Sequence, residues 1–261
     1  TPSFMISPER KSWHCFGCGK SGDIFTFVME HDHLEFYEAL KMLAEKTGIV
    51  LSGTARAEQR QLDVLFDINE TAKDMFAAAL AANAETRAYL RARHLTEETE
   101  REFDLGYAPY GVDECIRACI KQGHAIHDIV RAGIALPNDR GGYRDRFFGR
   151  IMFPIRNHFG KIVGFTGRIL RDGDSDAKYV NSPETPIFKK SKILYGFHKS
   201  KEHIRTARSA FLVEGQMDFL MAWQDGMKTA VATSGTAVTP DHLAVLRRYA
   251  DEIVIGFDND G

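Results

Sequence analysis

The fold is decided near the end of the chain, where three short apolar runs alternate with helix-like stretches. The runs are Phe211-Leu212-Val213, Thr229-Ala230-Val231-Ala232 and Ile253-Val254-Ile255-Gly256-Phe257. Continuous apolar strands that alternate with helices are typical of a parallel sheet covered on both faces. The sequence therefore predicts an α/β fold, α+β overall, with a parallel β-α-β-α-β sheet in this region.

Acidic residues follow two of these strands. Glu214 comes directly after the first run, and Asp258 and Asp260 come after the third. Because ligands bind beyond the carboxyl ends of such strands, we expect the three carboxylates at one edge of the sheet. Clustered carboxylates repel one another unless a cation lies between them, and hard oxygen ligands suit Mg²⁺ or Mn²⁺. The pattern predicts a metal-dependent phosphoryl-transfer site, although either acidic motif alone could be an ordinary strand-to-loop turn.

The composition is that of a globular protein, with 27% charged and 44% hydrophobic residues among 261. No apolar run approaches the roughly 20 residues that span a bilayer, so we expect a cytoplasmic protein with no membrane partner. Residues 140–208 hold 16 Lys/Arg against 6 Asp/Glu, whereas both flanking segments are acidic. A basic middle beside an acidic edge indicates a protein that binds phosphates next to a metal site, and a solvated charged face is the alternative.

Within this basic middle, apolar residues at 151–155 and 161–165 predict a β-hairpin with its turn at 157–160. Arginine carries a planar fork of donors that matches phosphate oxygens, so arginines on one sheet could hold a template backbone or a triphosphate. Five arginines surround the hairpin: Arg144, Arg146, Arg150, Arg156 and Arg168. Some could instead pair with nearby aspartates such as Asp145, and we expect at most half of them to contact substrate.

The remaining segments are mainly helical by their apolar spacing. Periodicity predicts two amphipathic helices over 24–47 and further helices over 63–82, 84–93, 113–122 and 125–132. Residues 52–62 lack periodic apolar content and are predicted to be a linker. Cys115 and Cys119, at i and i+4 of one helix, are predicted to be buried packing residues.

Two of the four cysteines, Cys15 and Cys18, form a C-x-x-C pair near the start of the chain. The pair indicates metal or redox chemistry in a reducing compartment rather than a disulfide scaffold. The glycines that follow each cysteine let backbone amides turn towards the sulfurs, which suits zinc. A structural zinc site needs four ligands, however, and the chain shows no second pair. A thioredoxin-type motif is the alternative, but its β-α-β setting is absent.

These motifs together resemble the bacterial DNA primase family. The segments that carry the resemblance are Thr1-Pro2-Ser3-Phe4 with the C-x-x-C pair, Lys178-Tyr-Val-Asn-Ser-Pro-Glu-Thr185, Glu214-Gly-Gln-Met-Asp218, Ser234-Gly-Thr236 and Phe257-Asp-Asn-Asp-Gly261. The resemblance implies a partial zinc-binding domain of CHC2 type at 1–51, a linker at 52–62, the basic N-terminal part of an RNA-polymerase domain at 63–208, and the start of a Toprim domain at 209–261. In that family a Cys and a His lie upstream of Thr1, so the chain is expected to be a fragment, truncated at both ends and inactive alone.

The resemblance also implies the function and its residues. The expected activity is nucleotidyl transfer that makes short RNA primers from ribonucleoside triphosphates on single-stranded DNA. The implied catalytic residues are Glu214, Asp258 and Asp260, which would also bind Mg²⁺ or Mn²⁺. Arg146, Arg168 and Lys190 are implied to bind nucleotide or template. Cys15 and Cys18 are implied to bind one Zn²⁺ in an incomplete site. A replicative helicase at replication forks is the expected partner, through a domain absent from this chain. The alternatives are another Toprim enzyme, either a topoisomerase or a nuclease, and a non-catalytic single-stranded-DNA-binding module.

Overall fold

The computed structural model describes residues 3–32, 34, 36–49, 53–170, 177–235 and 237–257. The chain divides into two compact units, Thr1–Gln61 and Leu62–Gly261. Among the helices described, none combines the length and the apolar character that crossing a bilayer requires.

The first unit is a small antiparallel sheet followed by helices. Its strands are β1 (Phe4–Ser7), β2 (Ser12–Cys15) and β3 (Ser21–Gly22), in the spatial order β1-β2-β3, and its helices are α1 (Ile24–Asp32) and α2 (Phe36–Thr47). The two helices predicted over 24–47 are confirmed. The rings of Phe4, Trp13 and Phe27 pack against one another, with centroids 5.5 to 5.8 Å apart, and this aromatic cluster fixes α1 on the sheet.

Residues 53–62, within the segment predicted to be a linker at 52–62, are helical. Helix α3 runs without interruption over Gly53–Ala82, so it begins ten residues before the helix that periodicity placed at 63–82. A helix with polar residues all round shows no apolar stripe, and periodicity therefore misses it. The sequence from Thr54 to Gln61 contains no Gly or Pro to break a helix.

After α3, the second unit continues with short helices. The helices are α4 (Ala84–Ala92), α5 (Glu97–Glu102), α6 (Glu114–Lys121) and α7 (Ile126–Arg131). Asn83 caps α4, because its side chain accepts a 2.8 Å hydrogen bond from the Thr86 amide. Cys115 and Cys119 of α6 are 1% and 0% exposed, which confirms their predicted role in packing.

An antiparallel sheet with the order β4-β7-β8-β9 forms the centre of this unit. Its strands are β4 (Gly106–Ala108), β7 (Arg150–Arg156), β8 (Ile162–Ile169) and β9 (Tyr179–Asn181), while β5 (Ala135–Pro137) pairs with β6 (Tyr143–Asp145). The predicted hairpin is confirmed as β7 and β8. Asn157 organises its turn, since the side-chain oxygen accepts hydrogen bonds from the amides of Phe159 and Lys161.

The predicted parallel sheet is also confirmed. Its strands are β10 (Ser209–Val213), β11 (Ala230–Ala232) and β12 (Glu252–Gly256), in the spatial order β11-β10-β12. The helices of this region are α8 (Phe197–Ala207), α9 (Gln216–Gln224) and α10 (Pro240–Leu246). Both β11 and β12 run parallel to β10, which is therefore the middle strand.

One continuous core joins the two sheets. It contains apolar residues of β7 and β8 together with residues of β10, α9 and β11. At its centre the ring of Phe219 packs edge-on against those of Phe103 and Tyr195, with centroids 5.1 and 5.2 Å away. Between the sheets, a 3₁₀ helix (Lys190–Lys192) leads to Tyr195, whose amide donates a 2.8 Å hydrogen bond to the Ala232 carbonyl. This core holds β7 and β8 in a fixed position relative to β10.

Candidate functional site

Glu214 is exposed at the carboxyl end of the middle strand, β10. The neighbouring strand β12 is in register with β10, with Val213 opposite Gly256, so both strands end at the same edge of the sheet. Asp258 and Asp260 lie outside the described residues. Their convergence with Glu214 therefore stays a prediction, and the register of the two strands is consistent with it.

The turn that carries Glu214 is held by its backbone. The Glu214 carbonyl accepts hydrogen bonds from the Gly235 amide at 3.3 Å and from the Thr233 hydroxyl at 3.4 Å, which tie the loop after β11 to this turn. The Asp218 carboxylate accepts a 3.0 Å hydrogen bond from the Gly215 amide at the start of α9. Asp218 thus caps the helix, and the Glu214 side chain is left at the surface.

A buried chain of polar side chains lies behind this turn. Gln216 Nε2 donates to Thr166 Oγ1 at 2.7 Å, Thr166 Oγ1 donates to Asn181 Oδ1 at 2.5 Å, and Asn181 Nδ2 donates to the Ser234 carbonyl at 3.4 Å. Gln216 and Thr166 are 2% and 1% exposed, so each needs a partner inside the protein. These hydrogen bonds link β8 and β9 to the Glu214 turn and to the loop after β11. In the sequence, this hydrogen-bonded row is indicated only by polar residues, such as Thr166, within otherwise apolar stretches.

Arg168 lies beside this chain but is almost completely buried, at 3% exposure. Its guanidinium carbon is 5.0 Å from the ring centroid of Tyr89 and 6.0 Å from that of Tyr179. In the strand register Arg168 stands opposite Tyr179 and Thr166 stands opposite Asn181, so the two pairs share one face of the sheet. Burial raises the pKa of the Tyr179 hydroxyl, and the Arg168 cation opposes that shift. Arg168 is thus a fixed charge packed against two aromatic rings.

Lys190 lines an open cleft next to the polar chain. The cleft is shallow and is lined by Asn181, Lys190, Ser234 and Thr233, with Ile155, Phe188 and Ile193 at its apolar side. The amide of Lys190 donates a 2.9 Å hydrogen bond to the Glu184 carboxylate, which orients the Lys190 backbone at the cleft. Ser234 Oγ is buried and has no hydrogen-bond partner among the described residues. A lysine beside hydroxyl and amide groups is a suitable set of donors for phosphate oxygens.

Arg146 lies in the loop between β6 and β7, and its amide donates a 2.8 Å hydrogen bond to the Ile134 carbonyl. Burial, together with the nearby Arg144 cation, lowers the pKa of Arg146 from its usual value. Its Nε is buried and unpartnered within the part of the chain that the structure describes. None of the hydrogen bonds described there joins Arg146 to the cleft, so its predicted contact with nucleotide or template stays a prediction.

Two other arginines of the basic hairpin have structural partners. Arg150 is 3% exposed and donates a 2.9 Å hydrogen bond to the Ala177 carbonyl, and Arg156 forms a 2.5 Å ion pair with Asp104. Asp145, which could have paired with an arginine, instead accepts two hydrogen bonds from amides at the start of α6, at 2.8 and 3.0 Å. Arg150 and Arg156 therefore have partners within the protein, while the expectation that at most half of the five arginines contact substrate stays a prediction.

The C-x-x-C pair lies at the end of β2 and in the turn after it. The pKa of the Cys15 thiol is lowered, first because the Cys18 amide donates a hydrogen bond to the sulfur and then because the Cys18 side chain and the Gly17 amide do. A Cβ on Gly17 would lie 3.0 Å from Ser3 Oγ, so only glycine fits this cradle without a shift. Amides directed at a thiolate fit half of a zinc site.

His14 and His31 do not complete this site. The ring of His14 packs on Phe16, with a centroid separation of 4.4 Å, and His31 Nδ1 contacts Asp32 Oδ1 at 2.7 Å. Among the described residues there is no group of three or more His, Cys, Asp or Glu side chains that could hold a metal ion.

A parallel β-α-β-α-β unit with a glutamate at the carboxyl end of its middle strand defines a Toprim-type protein. Three family models match the chain in order: CHC2 zinc finger over residues 1–59, the N-terminal domain of the DNA primase catalytic core over 75–201, and Toprim-like over 211–261. The chain belongs to the bacterial DNA primase family.

Individual relatives agree with the family models. The DNA primase of Deinococcus radiodurans is 42% identical over the whole chain, which spans 45% of that protein's length. The crystal structure of the Aquifex aeolicus primase, with its zinc-binding and RNA polymerase domains, is 31% identical, with a TM-score of 0.73, and the match covers 100% of this chain and 63% of that one. A DnaG primase catalytic domain bound to single-stranded DNA is 33% identical, with a TM-score of 0.69, and the match covers 77% of this chain and 63% of that one. These relatives do not favour the topoisomerase and nuclease alternatives.

Proposed function

We propose that this chain forms part of a DNA primase that makes short RNA primers on single-stranded DNA by metal-dependent nucleotidyl transfer. The observation that carries the proposal is the exposed Glu214 at the end of β10, next to a cleft lined by Lys190 and Asn181. The chain spans less than half the length of the curated relatives it matches, so the activity of the whole protein is proposed from this site and from the family.

Each polar residue has a role in this proposal. The reaction brings a 3′-hydroxyl to an α-phosphate, and a bound Mg²⁺ or Mn²⁺ would neutralise charge on the attacking and leaving oxygens. Glu214, with Asp258 and Asp260, is proposed to hold the metal or orient it. Lys190 is proposed to bind phosphate oxygens in the cleft, and Asn181 to donate or accept a hydrogen bond beside it.

The nucleic acid and the other partners follow from the same reasoning. Residues 140–208 carry an excess of positive charge, which would hold the backbone of a single-stranded template with little sequence readout. Arg146 and Arg168 are proposed to act here, Arg168 as a fixed charge next to Tyr179. Ribonucleoside triphosphates are the proposed substrates. The helicase contact and the location at replication forks in the bacterial cytoplasm are inferred from the family alone.

Zinc is proposed to bind Cys15 and Cys18. Two thiolates supply half of the four ligands that a structural zinc site needs, so the described residues alone should hold zinc weakly. Metal analysis of the purified 261-residue chain should therefore find much less than one zinc per molecule. Stoichiometric, tightly held zinc that is lost on changing His14 or His31 would contradict this assignment.

Glu214→Gln tests the catalytic proposal. In this chain the substitution should weaken Mn²⁺ binding, followed by the paramagnetic resonance signal of free Mn²⁺, without changing the free energy of unfolding. For synthesis itself, the 261 residues can replace the matching segment of the Deinococcus radiodurans primase, and the chimera can be given single-stranded DNA and ribonucleoside triphosphates. Short RNA should form, and Glu214→Gln should abolish it.

Asp225→Asn provides the matched control. Asp225 is an exposed carboxylate at the far end of α9, ~13 Å along the helix from the Glu214 turn, and its loss should leave both assays unchanged. Full synthesis by the Glu214→Gln chimera would remove Glu214 from the mechanism. The chain would then be better described as a non-catalytic DNA-binding module.

A further inference from the structure

His242 on α10 is completely buried and contacts the backbone that carries Lys190. Its relative exposure is 0%, and its Nε2 lies 3.0 Å from the Lys190 carbonyl oxygen. The two residues are 52 positions apart, so the contact joins α10 to the 3₁₀ helix at the mouth of the cleft. Neither the family models nor the motifs of the sequence assign a role to this histidine.

The hydrogen bonds around His242 determine which ring nitrogen carries the proton. The Thr239 amide donates a 3.3 Å hydrogen bond to Nδ1, so Nδ1 is the acceptor. Nε2 then carries the hydrogen and donates it to the Lys190 carbonyl. Burial lowers the pKa of His242, which keeps the ring neutral and preserves this arrangement. One imidazole thus completes the capping box of α10 and also holds the turn above it.

The same turn is held at two further points. Thr239 Oγ1 donates a 2.6 Å hydrogen bond to the Ser191 carbonyl, and the Glu184 carboxylate accepts a 2.9 Å hydrogen bond from the Lys190 amide. The backbone of Lys190 is therefore held on both sides, by Glu184 at its amide and by His242 at its carbonyl. Its side chain lines the cleft together with Asn181.

We propose that His242 is a positioning residue that orients Lys190 towards the cleft. This inference rests on the proposed function, in which Lys190 binds phosphate oxygens. The Lys190 side chain is a flexible stem, so fixing the backbone sets the point from which the ammonium group reaches and limits the region it can occupy. His242 contacts no substrate itself, and its effect passes through Lys190.

Three substitutions separate positioning from simple loss of stability. His242→Gln places an amide nitrogen about where Nε2 stands, so it can still donate to the Lys190 carbonyl. His242→Leu removes both bonds at similar volume. Val245→Ala, at an 8% exposed position on the same helix, weakens the packing of α10 without touching Lys190.

The first measurement is amide hydrogen exchange in the folded protein. The amides of Lys192 and Ile193 donate to the carbonyls of Lys189 and Lys190. In His242→Leu these two amides should exchange about tenfold faster than in the wild type, whereas His242→Gln and Val245→Ala should leave them near the wild-type rate. If His242→Leu does not fold, His242→Asn replaces it, because asparagine can still accept from Thr239 but is too short to reach Lys190. Unchanged exchange at Lys192 and Ile193 in the folded variant would overturn the proposal.

The second measurement is the affinity for fluorescein-labelled dT12. Lys190→Ala and His242→Leu should each weaken binding about tenfold, and the double variant should bind no more weakly than either single one, because both remove the same contact. Losses that add in the double variant would show that His242 does not act through Lys190, and would overturn the proposal. If Lys190→Ala alone binds dT12 as the wild type does, the proposed function of Lys190 fails, and the exchange rates by themselves decide whether His242 orders the turn.

Discussion

Thr166 should be one of the most sensitive positions behind the site, because its hydroxyl is in the middle of the buried polar chain. Thr166 Oγ1 accepts from Gln216 at 2.7 Å and donates to Asn181 at 2.5 Å, and the residue is 1% exposed. Thr166→Val keeps the shape of the side chain but removes both hydrogen bonds. One fully buried partner, the Gln216 amide, is then left unsatisfied, whereas Asn181 is only half-buried.

The expected loss can be worked out from these two bonds. Each buried hydrogen bond contributes about 1 kcal/mol net, and leaving a buried partner unsatisfied costs about 1 kcal/mol more. Thr166→Val should therefore lower the free energy of unfolding by about 3 kcal/mol. Thr166→Ser keeps the hydroxyl and loses one methyl group, which should cost about 1 kcal/mol.

Urea unfolding followed by tryptophan fluorescence measures both variants, and a constant slope against denaturant would show that only stability has changed. The difference between the valine and serine variants, about 2 kcal/mol, isolates the hydroxyl from the packing. Equal stability of the two variants, within about 0.5 kcal/mol, would refute the reasoning. The buried chain would then contribute nothing to holding Asn181 beside the cleft.

Three further changes should have defined effects. Gly196→Ala should lower the free energy of unfolding by more than about 3 kcal/mol in the same assay, because φ is +81° and the new Cβ would lie 2.1 Å from the Phe219 ring. Gly226→Ala, at φ +95° with open space around it, should cost only about 1–2 kcal/mol, and equal losses would contradict the steric argument. Burial, with nearby cations, lowers the pKa of His198 in the folded protein to about 4. In the unfolded chain the pKa of this histidine is about 6.5, so the unfolded state binds more protons between these two pH values. The free energy of unfolding should therefore fall by up to about 3 kcal/mol as the pH drops from the unfolded pKa to the folded one. His198→Gln should flatten that pH dependence, and an unaltered profile would exclude His198 as its source. Lys190→Ala should reduce the slope of log affinity for dT12 against log salt by about 0.7, and an unchanged slope would mean that Lys190 makes no phosphate contact.

Local patterns in the sequence predicted much of the fold correctly. The hairpin of β7 and β8, the burial of Cys115 and Cys119 on α6 and the parallel strands at the end of the chain all follow from side-chain periodicity and turn residues, which act over a few positions. The position of Glu214 at the carboxyl end of β10 follows from the same local reasoning.

The tertiary structure decided which distant residues meet. The order β11-β10-β12, the hydrogen bonds from Gln216 through Thr166 to Asn181, and the contact of His242 with Lys190 all join residues far apart in the chain. The packing of the Arg168 guanidinium against two tyrosine rings could not be read from the sequence. The sequence by itself determined most of the elements and the kinds of chemistry available, because those depend on neighbouring residues. Only packing, which brings separate segments together, decided which charges are buried and which face the cleft.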